Sequence, residues 1–297
     1  MTLLPEMGDL IARHAPTDLS RSAVPGLRLY ASDRPTRMVS VNYDPMLCLV
    51  VAGSKQTMLG DVVYPYQAGD CLVVSAELPV CGSVIETPYR ALSFDLNAAT
   101  IARMMLEMGV PSLSDQPPPS GMRVARLDDD LLEPLARLVR LLDRPQEIAM
   151  MTPMIERELI WRLLNSRHAP TVCQIGSSES RLSGVNRAIR WIRDNYARPM
   201  RVEDLSAMAG MSLSTFHRHF RTVTTMSPLQ FHKQVRLQEA RARLLSGDDG
   251  AAETGFTVGY DSPSQFTREY ARQFGLPPGR DRVRMRETLS AGGLSTG

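Results

Sequence analysis

Between Leu27 and Leu96 short apolar runs alternate with turn-forming residues: Leu27–Tyr30, Met46–Ala52, Thr57–Leu59, Val62–Tyr64, Cys71–Ser75, Val80–Val84 and Ala91–Leu96. Asp44-Pro45, Ala52-Gly53-Ser54, Gly60-Asp61 and Ala68-Gly69-Asp70 separate them, and Gly-Asp between two short strands is a hairpin signal. Strands at this spacing predict a small barrel or sandwich. Ahead of them lies one short helical stretch, Met7–His14. At Asn97, a candidate N-cap, the period turns helical and runs through Met108. Gln116–Gly121, with three consecutive prolines, reads as a loop. Asp128–Asp143 and Thr152–Asn165 are amphipathic, with Leu131, Leu135, Leu138 and Leu142 on one apolar face and Ile155, Leu159 and Leu163 on the other. Thr152 before Pro153 predicts an N-cap followed by proline at the first helical position. Arg167–Ser183, rich in Ser and small polar residues, reads as a linker, and everything from Gly184 onward is helical. The resulting division is 1–166, a linker at 167–183, a helical domain at 184–290 and a flexible tail at 291–297.

Charge separates the same two halves. From Arg181 to the end there are 18 Lys+Arg against 11 Asp+Glu; before it the counts are 16 and 21. A basic last third on an acidic body points to an anionic partner for that third alone. Only Lys55 and Lys233 are lysine; the other basic residues are arginine, which suits bidentate recognition of phosphate and guanine and also arises from a GC-rich coding sequence. The 297-residue chain is long enough for two domains and for a core without disulfides. Four cysteines with no C-x-x-C pair make neither a disulfide framework nor a zinc ribbon. The first 18 residues lack an apolar signal region, and the longest apolar run, Met46–Ala52, is far short of a membrane span. These features predict a reduced, soluble, cytoplasmic protein with no membrane partner.

The basic third contains a repeat. Aligning Ser212 with Ser262 pairs Phe216 with Phe266, Arg218 with Arg268, Phe220 with Tyr270 and Pro228 with Pro278. Each copy follows a glycine turn (Gly210-Met211, Gly259-Tyr260-Asp261), and each turn follows a short helical stretch, Val202–Ala209 or Gly250–Val258. Helix, glycine turn, Ser-capped helix is the helix-turn-helix pattern. In the first copy Leu213, Phe216, Phe220 and Val223 form the predicted buried stripe. Arg218 then lies opposite, flanked by Ser214 and Arg221, with His217 at the edge. In the second, burial of Phe266 and Tyr270 leaves Ser264, Gln265, Arg268 and Arg272 outward. These eight residues are the candidates to enter a major groove, where Arg donates twice to guanine. A lone pattern of this kind also occurs in helical hairpins of enzymes; two copies, each with an outward arginine, favour DNA. Between them Ser227-Pro228-Leu229-Gln230 predicts an N-cap, a proline at N1 and a capping-box Gln, opening a helix that runs to about Leu245 and stops at Gly247. Such a rod could hold two reading heads about one duplex turn apart.

Gly259-Tyr260-Asp261-Ser262-Pro263-Ser264-Gln265-Phe266-Thr267-Arg268-Glu269-Tyr270, followed by Phe274-Gly275-Leu276-Pro277-Pro278, resembles the signature of AraC/XylS-type transcriptional regulators, and the resemblance covers Val185–Arg286. Leu47–Lys55, Leu72–Ser75 and Leu78–Val80 are similar to an N-terminal effector domain of that family. The resemblance implies an α+β chain: a cupin-like β-barrel with flanking helices that binds a small-molecule effector and dimerises, then an all-α DNA-binding domain with two helix-turn-helix units in adjacent major grooves. It also implies double-stranded promoter DNA and RNA polymerase as partners, a homodimer, no cofactor and no enzymatic activity. Two departures stand out. Gly255 replaces the alanine usual in the second unit, a helix-weakening change, and Pro278-Gly279-Arg280-Asp281-Arg282 lacks the usual aromatic before the Arg. Both predict a looser second unit.

Other readings rest on single features. A catalytic cupin needs clustered His and carboxylate ligands, but His14, His168, His217, His219 and His232 all fall outside the β region, so no metal site is predicted. No Walker loop, G-x-S-x-G elbow or G-x-G-x-x-G run is present. Cys48, Cys71 and Cys81 sit in or beside predicted strands, where cysteine is ordinarily a small buried hydrophobe. A thiol-based redox or electrophile sensor is the alternative, although no Lys or Arg adjoins them in sequence to lower a thiol pKa.

Overall fold

Side chains alternate across a strand, so Met46, Cys48 and Val50 leave one face of the first long strand while Leu47, Leu49 and Val51 leave the other. In the computed structural model, which describes residues 3–15, 19–110, 120–177, 181–246 and 250–292, the two sets lie in different cores. Part of the proline-rich loop (116–119), the helix stop at Gly247 and tail positions 293–297 fall outside the described residues.

The strands are β1 (Leu19–Arg21), β2 (Leu27–Ser32), β3 (Val39–Tyr43), β4 (Met46–Leu59), β5 (Val62–Gln67), β6 (Asp70–Val74), β7 (Leu78–Asp95) and β8 (Met122–Arg126). They form one antiparallel sheet in the order β1-β2-β7-β4-β6-β8, with β3 added to β7 and β5 to β4. The long strands β4 and β7 pair with each other along most of their length and carry two further strands each on their outer edges, giving a barrel that stays open. Gly60-Asp61 makes the expected two-residue hairpin, with Leu59 opposite Val62.

Three readings change here. Ala52-Gly53-Ser54 is a bulge inside β4, where the register against β7 shifts. Gly53 has φ +72°, and a Cβ there would lie 2.4 Å from the Glu86 carbonyl oxygen, so only glycine lets the ladder continue through this point. Val80–Val84 and Ala91–Leu96 likewise belong to the single strand β7. The edge strands β3 and β8 carry no distinct apolar run in the sequence.

Helices α1 (Leu3–His14), α2 (Ala98–Met108), α3 (Asp129–Arg140), α4 (Ile148–Leu164) and α5 (Ala169–Gly176) cover the outer face. Asn97 caps α2 as expected, its side chain accepting from the Ala99 and Thr100 amides. The fourth helix starts at Ile148 rather than after Thr152, leaving Pro153 inside it and Thr152 buried. A short 3-10 turn, Pro145–Glu147, leads in, so the proline near the start removes a single intrahelical bond. α5 lies in the span expected as a linker, and its Val172 and Cys173 are buried in the outer core. Composition alone reads as a connector because Pro170, Thr171 and Gly176 weaken a helix that only packing holds together.

Seven helices follow: α6 (Arg181–Asp194), α7 (Val202–Met208), α8 (Leu213–Thr224), α9 (Pro228–Ser246), α10 (Ala251–Thr257), α11 (Pro263–Phe274) and α12 (Pro278–Gly292). The inner face of the sheet continues into them as one apolar cluster, where Leu72, Val74 and Leu78 join Val185 and Ile189 of α6 and Phe220 and Val223 of α8. Polar ties cross the same boundary. Thr225 Oγ1 donates to the Leu59 carbonyl at 2.7 Å, the Gly121 amide to the Val223 carbonyl at 3.1 Å, and Gln234 Nε2 to the Pro79 carbonyl at 3.2 Å. Arg193 pairs with Glu77. Among the described residues no helix is long and apolar enough to cross a membrane.

Candidate nucleic-acid interface and effector barrel

Each helix-turn-helix unit is built by a cap, a glycine and an aromatic wedge. Gly210 (φ +68°) turns the chain after α7, and Ser212 Oγ accepts from the Thr215 amide to open α8. Phe216 and Phe220 pack at 5.4 Å, and Phe220 meets Phe231 of α9 edge-on at the same separation. In the second unit Gly259 (φ +91°) makes the turn, Ser262 caps α11 by accepting from the Gln265 amide, and Phe266 and Tyr270 are buried. The capping box at α9 forms in both directions: the Ser227 amide donates to Gln230 Oε1 and the Gln230 amide to Ser227 Oγ. The first half of α9 serves unit one through Phe231, and its second half serves unit two through Leu237, Ala240 and Leu244. One rigid rod of roughly 28 Å therefore fixes both heads.

The eight sequence-selected residues, Ser214, His217, Arg218, Arg221, Ser264, Gln265, Arg268 and Arg272, are all exposed on these two helices. Among the described residues Arg218, Arg221, Arg268 and Arg272 take part in no ion pair, whereas Arg241, Arg243 and Arg284 are tied to Asp281 or Glu239. Gln265 is partly engaged, its Nε2 donating to Glu269 Oε1 at 3.4 Å. The expected stripe needs one change. Leu213 is 40% exposed and His219 is buried, so the inward positions are 216, 219, 220 and 223. Leu213 occupies the first turn of α8, ahead of the residues that α9 covers.

The second unit is closed by a group that no motif in the sequence announces. Asp281 is fully buried and accepts from Arg241 Nε at 2.9 Å and from Tyr270 Oη at 3.0 Å, with Arg284 on its other oxygen. A buried carboxylate held by two guanidinium groups and a phenol ties α9, α11 and α12 together without the missing aromatic. Gly255 also has a packing reason: a Cβ there would lie 2.9 Å from Phe266 Cδ1.

Inside the sheet, Tyr30, Tyr43, Tyr66 and Tyr89 cluster near Cys48, and Lys55 lies against Tyr30 and Tyr43. Lys55 Nζ donates to Tyr43 Oη at 3.1 Å and stands 5.8 Å from the ring centres of both Tyr30 and Tyr43. Tyr66 Oη is bonded to Thr57 Oγ1 at 2.7 Å and Tyr30 Oη to Ser93 Oγ at 3.2 Å. Burial pushes the Tyr66 and Tyr89 hydroxyls well above the usual phenol range. It pushes the Cys48 thiol up to about 11 against the opposing influence of Lys55, a neighbour that sequence adjacency could not reveal. Cys71 is pushed up to about 12, again by burial, and its Sγ lies 3.5 Å from His168 Nε2. All four cysteines are buried, and these shifts run opposite to those of a thiolate sensor. Among the described residues no group of three or more His, Cys, Asp and Glu side chains is placed to hold a metal ion.

Residues 23–171 match the family model of the AraC-type transcriptional regulator N-terminus, and residues 205–284 match a helix-turn-helix domain model. The chain belongs to the AraC-type transcriptional regulators. Among similar curated members of the AraC group is the transcriptional activator RhaS of Escherichia fergusonii, 25% identical over 52% of this chain and 55% of that protein. RhaS of Salmonella arizonae is 24% identical over 60% of this chain and 64% of its own length. The chain thus spans between about a third and two thirds of the length of the curated relatives it matches. In fold, this AraC-type chain is similar to an apo form of ToxT, carrying a single substitution, from Vibrio cholerae, with a TM-score of 0.55 over 89% of this chain and 99% of that one at 8% identity. ToxT bound to an unsaturated fatty acid gives a TM-score of 0.51.

Proposed function

We propose that this AraC-type chain is a ligand-responsive, sequence-specific transcription regulator. Its α8 and α11 enter adjacent major grooves of promoter DNA, and its open barrel takes a small-molecule effector. The carrying observation is the pair of capped helices on one rod, each presenting two exposed arginines that, among the described residues, no carboxylate occupies. Base reading falls to Arg218 and Arg268, with Ser214, His217, Ser264 and Gln265 beside them, and phosphate contact to Arg221 and Arg272. RNA polymerase is the expected downstream partner, and the cytoplasm is where such a regulator acts. Self-association is supported by an apolar stripe outside the core: Met150, Met154 and Trp161 on α4 are 72, 59 and 50% exposed, and Leu106 of the neighbouring α2 is 84% exposed. Ligand control follows from differential affinity for two arrangements of sheet and reading helices, and the shared apolar cluster with its Thr225–Leu59 bond is the contact through which the barrel can act.

Selection of binding sites from random duplexes with the full chain, followed by isotherms on the selected and scrambled sites, tests the reading. A cognate-to-scrambled affinity ratio near one would reject it. Thermal-shift screening of metabolites on the full chain tests the sensing half, since a ligand at 100 times its Kd adds about 2.7 kcal/mol.

A further inference from the structure

Among the described residues, the inside of the barrel holds a charge without a counterion. Two-residue alternation places Lys55, Thr57 and Leu59 on the inner face of β4, and among the described residues Lys55 makes no ion pair. The groups placed against it are neutral: the phenols of Tyr30 and Tyr43, the Cys48 thiol, and Tyr66, the cross-strand partner of Lys55, with Tyr89 beyond them beside Tyr30, Tyr43 and Cys48. An ammonium removed from bulk water is costly unless an anion and further hydrogen bonds compensate it. Only one of its three donors is used, by Tyr43. The cluster also leaves an acceptor and donor spare. Tyr89 is 3% exposed as a residue, and its hydroxyl, which makes no hydrogen bond among the described residues, keeps some solvent access. Lys55 keeps partial exposure as a residue, so the cluster lies next to the surface rather than deep in the core.

We propose that this cluster binds a small organic carboxylate, whose anion pairs with Lys55 and hydrogen-bonds to Tyr89, and whose apolar body lies against Tyr30 and Tyr43. A single ammonium between aromatic walls suits a monoanion with an apolar body. A phosphate ester would call for an arginine fork or a helix N-terminus, and neither appears among the groups around Lys55. A neutral sugar would leave the ammonium without a counterion. The assignment rests on the barrel being the effector-binding half of the protein.

Calorimetry on the full chain tests it with benzoate, phenylacetate and hexanoate, each paired with its uncharged amide, and with Lys55→Met, Lys55→Arg and Tyr89→Phe. Thermal melts of the free variants verify folding. At least one acid is expected to bind tenfold or more tightly than its amide, to lose at least tenfold in affinity in Lys55→Met, and to recover part of it in Lys55→Arg. Tyr89→Phe is expected to lose severalfold. The proposal is overturned if none of the acids binds in the millimolar range, if acid and amide bind alike, or if folded Lys55→Met binds the acid unchanged. DNA isotherms on the same samples separate the two claims. Acid binding that depends on Lys55 but leaves DNA affinity untouched supports this site and rejects ligand control. An uncharged molecule that shifts DNA affinity equally in wild type and Lys55→Met keeps ligand control and overturns this site.

Discussion

The Thr225 hydroxyl, on the residue that ends the first reading helix, donates to the Leu59 carbonyl at the tip of the β4–β5 hairpin. Thr225 holds a left-handed backbone (φ +61°), and Gly60 beside Leu59 is left-handed too; a Cβ on Gly60 would lie 2.6 Å from Thr225 Oγ1. The sheet domain and the helix-turn-helix domain therefore meet through two tight turns.

Replacing Thr225 by Ala removes that bond while the neighbouring Gly121–Val223 bond stays. The expected cost is about 0.5–1.5 kcal/mol, with faster hydrogen exchange in peptides covering residues 57–62 and 221–228. Unchanged exchange there would mean that the contact does not hold the halves together.

Gly255→Ala separates propensity from packing. In an exposed helix interior the change should stabilise by up to about 1 kcal/mol. Here the added methyl meets the Phe266 ring, so destabilisation of about 1–3 kcal/mol is expected. A raised midpoint of thermal unfolding would contradict the packing account.

On the proposed reading the arginines divide by role. Arg218→Ala is expected to cost about 1–3 kcal/mol and relax preference at one or two base pairs, whereas Arg221→Ala should weaken all sequences alike and lower the salt slope by about one. With Asp281 and Gly255 closing the second unit, Arg268→Ala belongs in the same range as Arg218→Ala. Isotherms on cognate and scrambled DNA at two salt concentrations decide it: an unchanged ratio for Arg218→Ala would move the reading face elsewhere.

The thiols provide a pH test. Folded Cys48 and Cys71 titrate above their unfolded values, at about 11 and about 12, so their contribution is complete below the unfolded thiol pKa, about 8.5. It is lost as pH rises through those folded values. Stability should fall from about pH 9 upward, less steeply in Cys71→Ala, which itself should lose stability at neutral pH. Native thiols should react with disulfide reagents at pH 8 only at the rate of unfolding. Fast, saturating labelling of native Cys48 would reinstate a thiol sensor.

Local rules are enough for much of this protein. Ser212, Ser262 and the Ser227–Gln230 box act within three or four residues, the glycine turns need only their own backbone freedom, and Arg218 lies opposite Phe216 and Phe220 by helical angle alone; hence the two reading helices and the eight outward residues are legible in the chain. So are the Gly60-Asp61 hairpin and the basic third. Other features depend on partners far away in sequence. Gly53 resembles a strand end until Glu86 and Pro88 of β7 lie across it, and α5 resembles a connector until the outer core buries Val172. Gly255 and Asp281 resemble defects until Phe266, Arg241 and Tyr270 surround them. Lys55 is, along the chain, one isolated lysine. Its meaning as a cation among tyrosines comes from a sheet that curls β2, β3, β4 and β7 around a single interior, and no periodicity along the chain encodes that curvature.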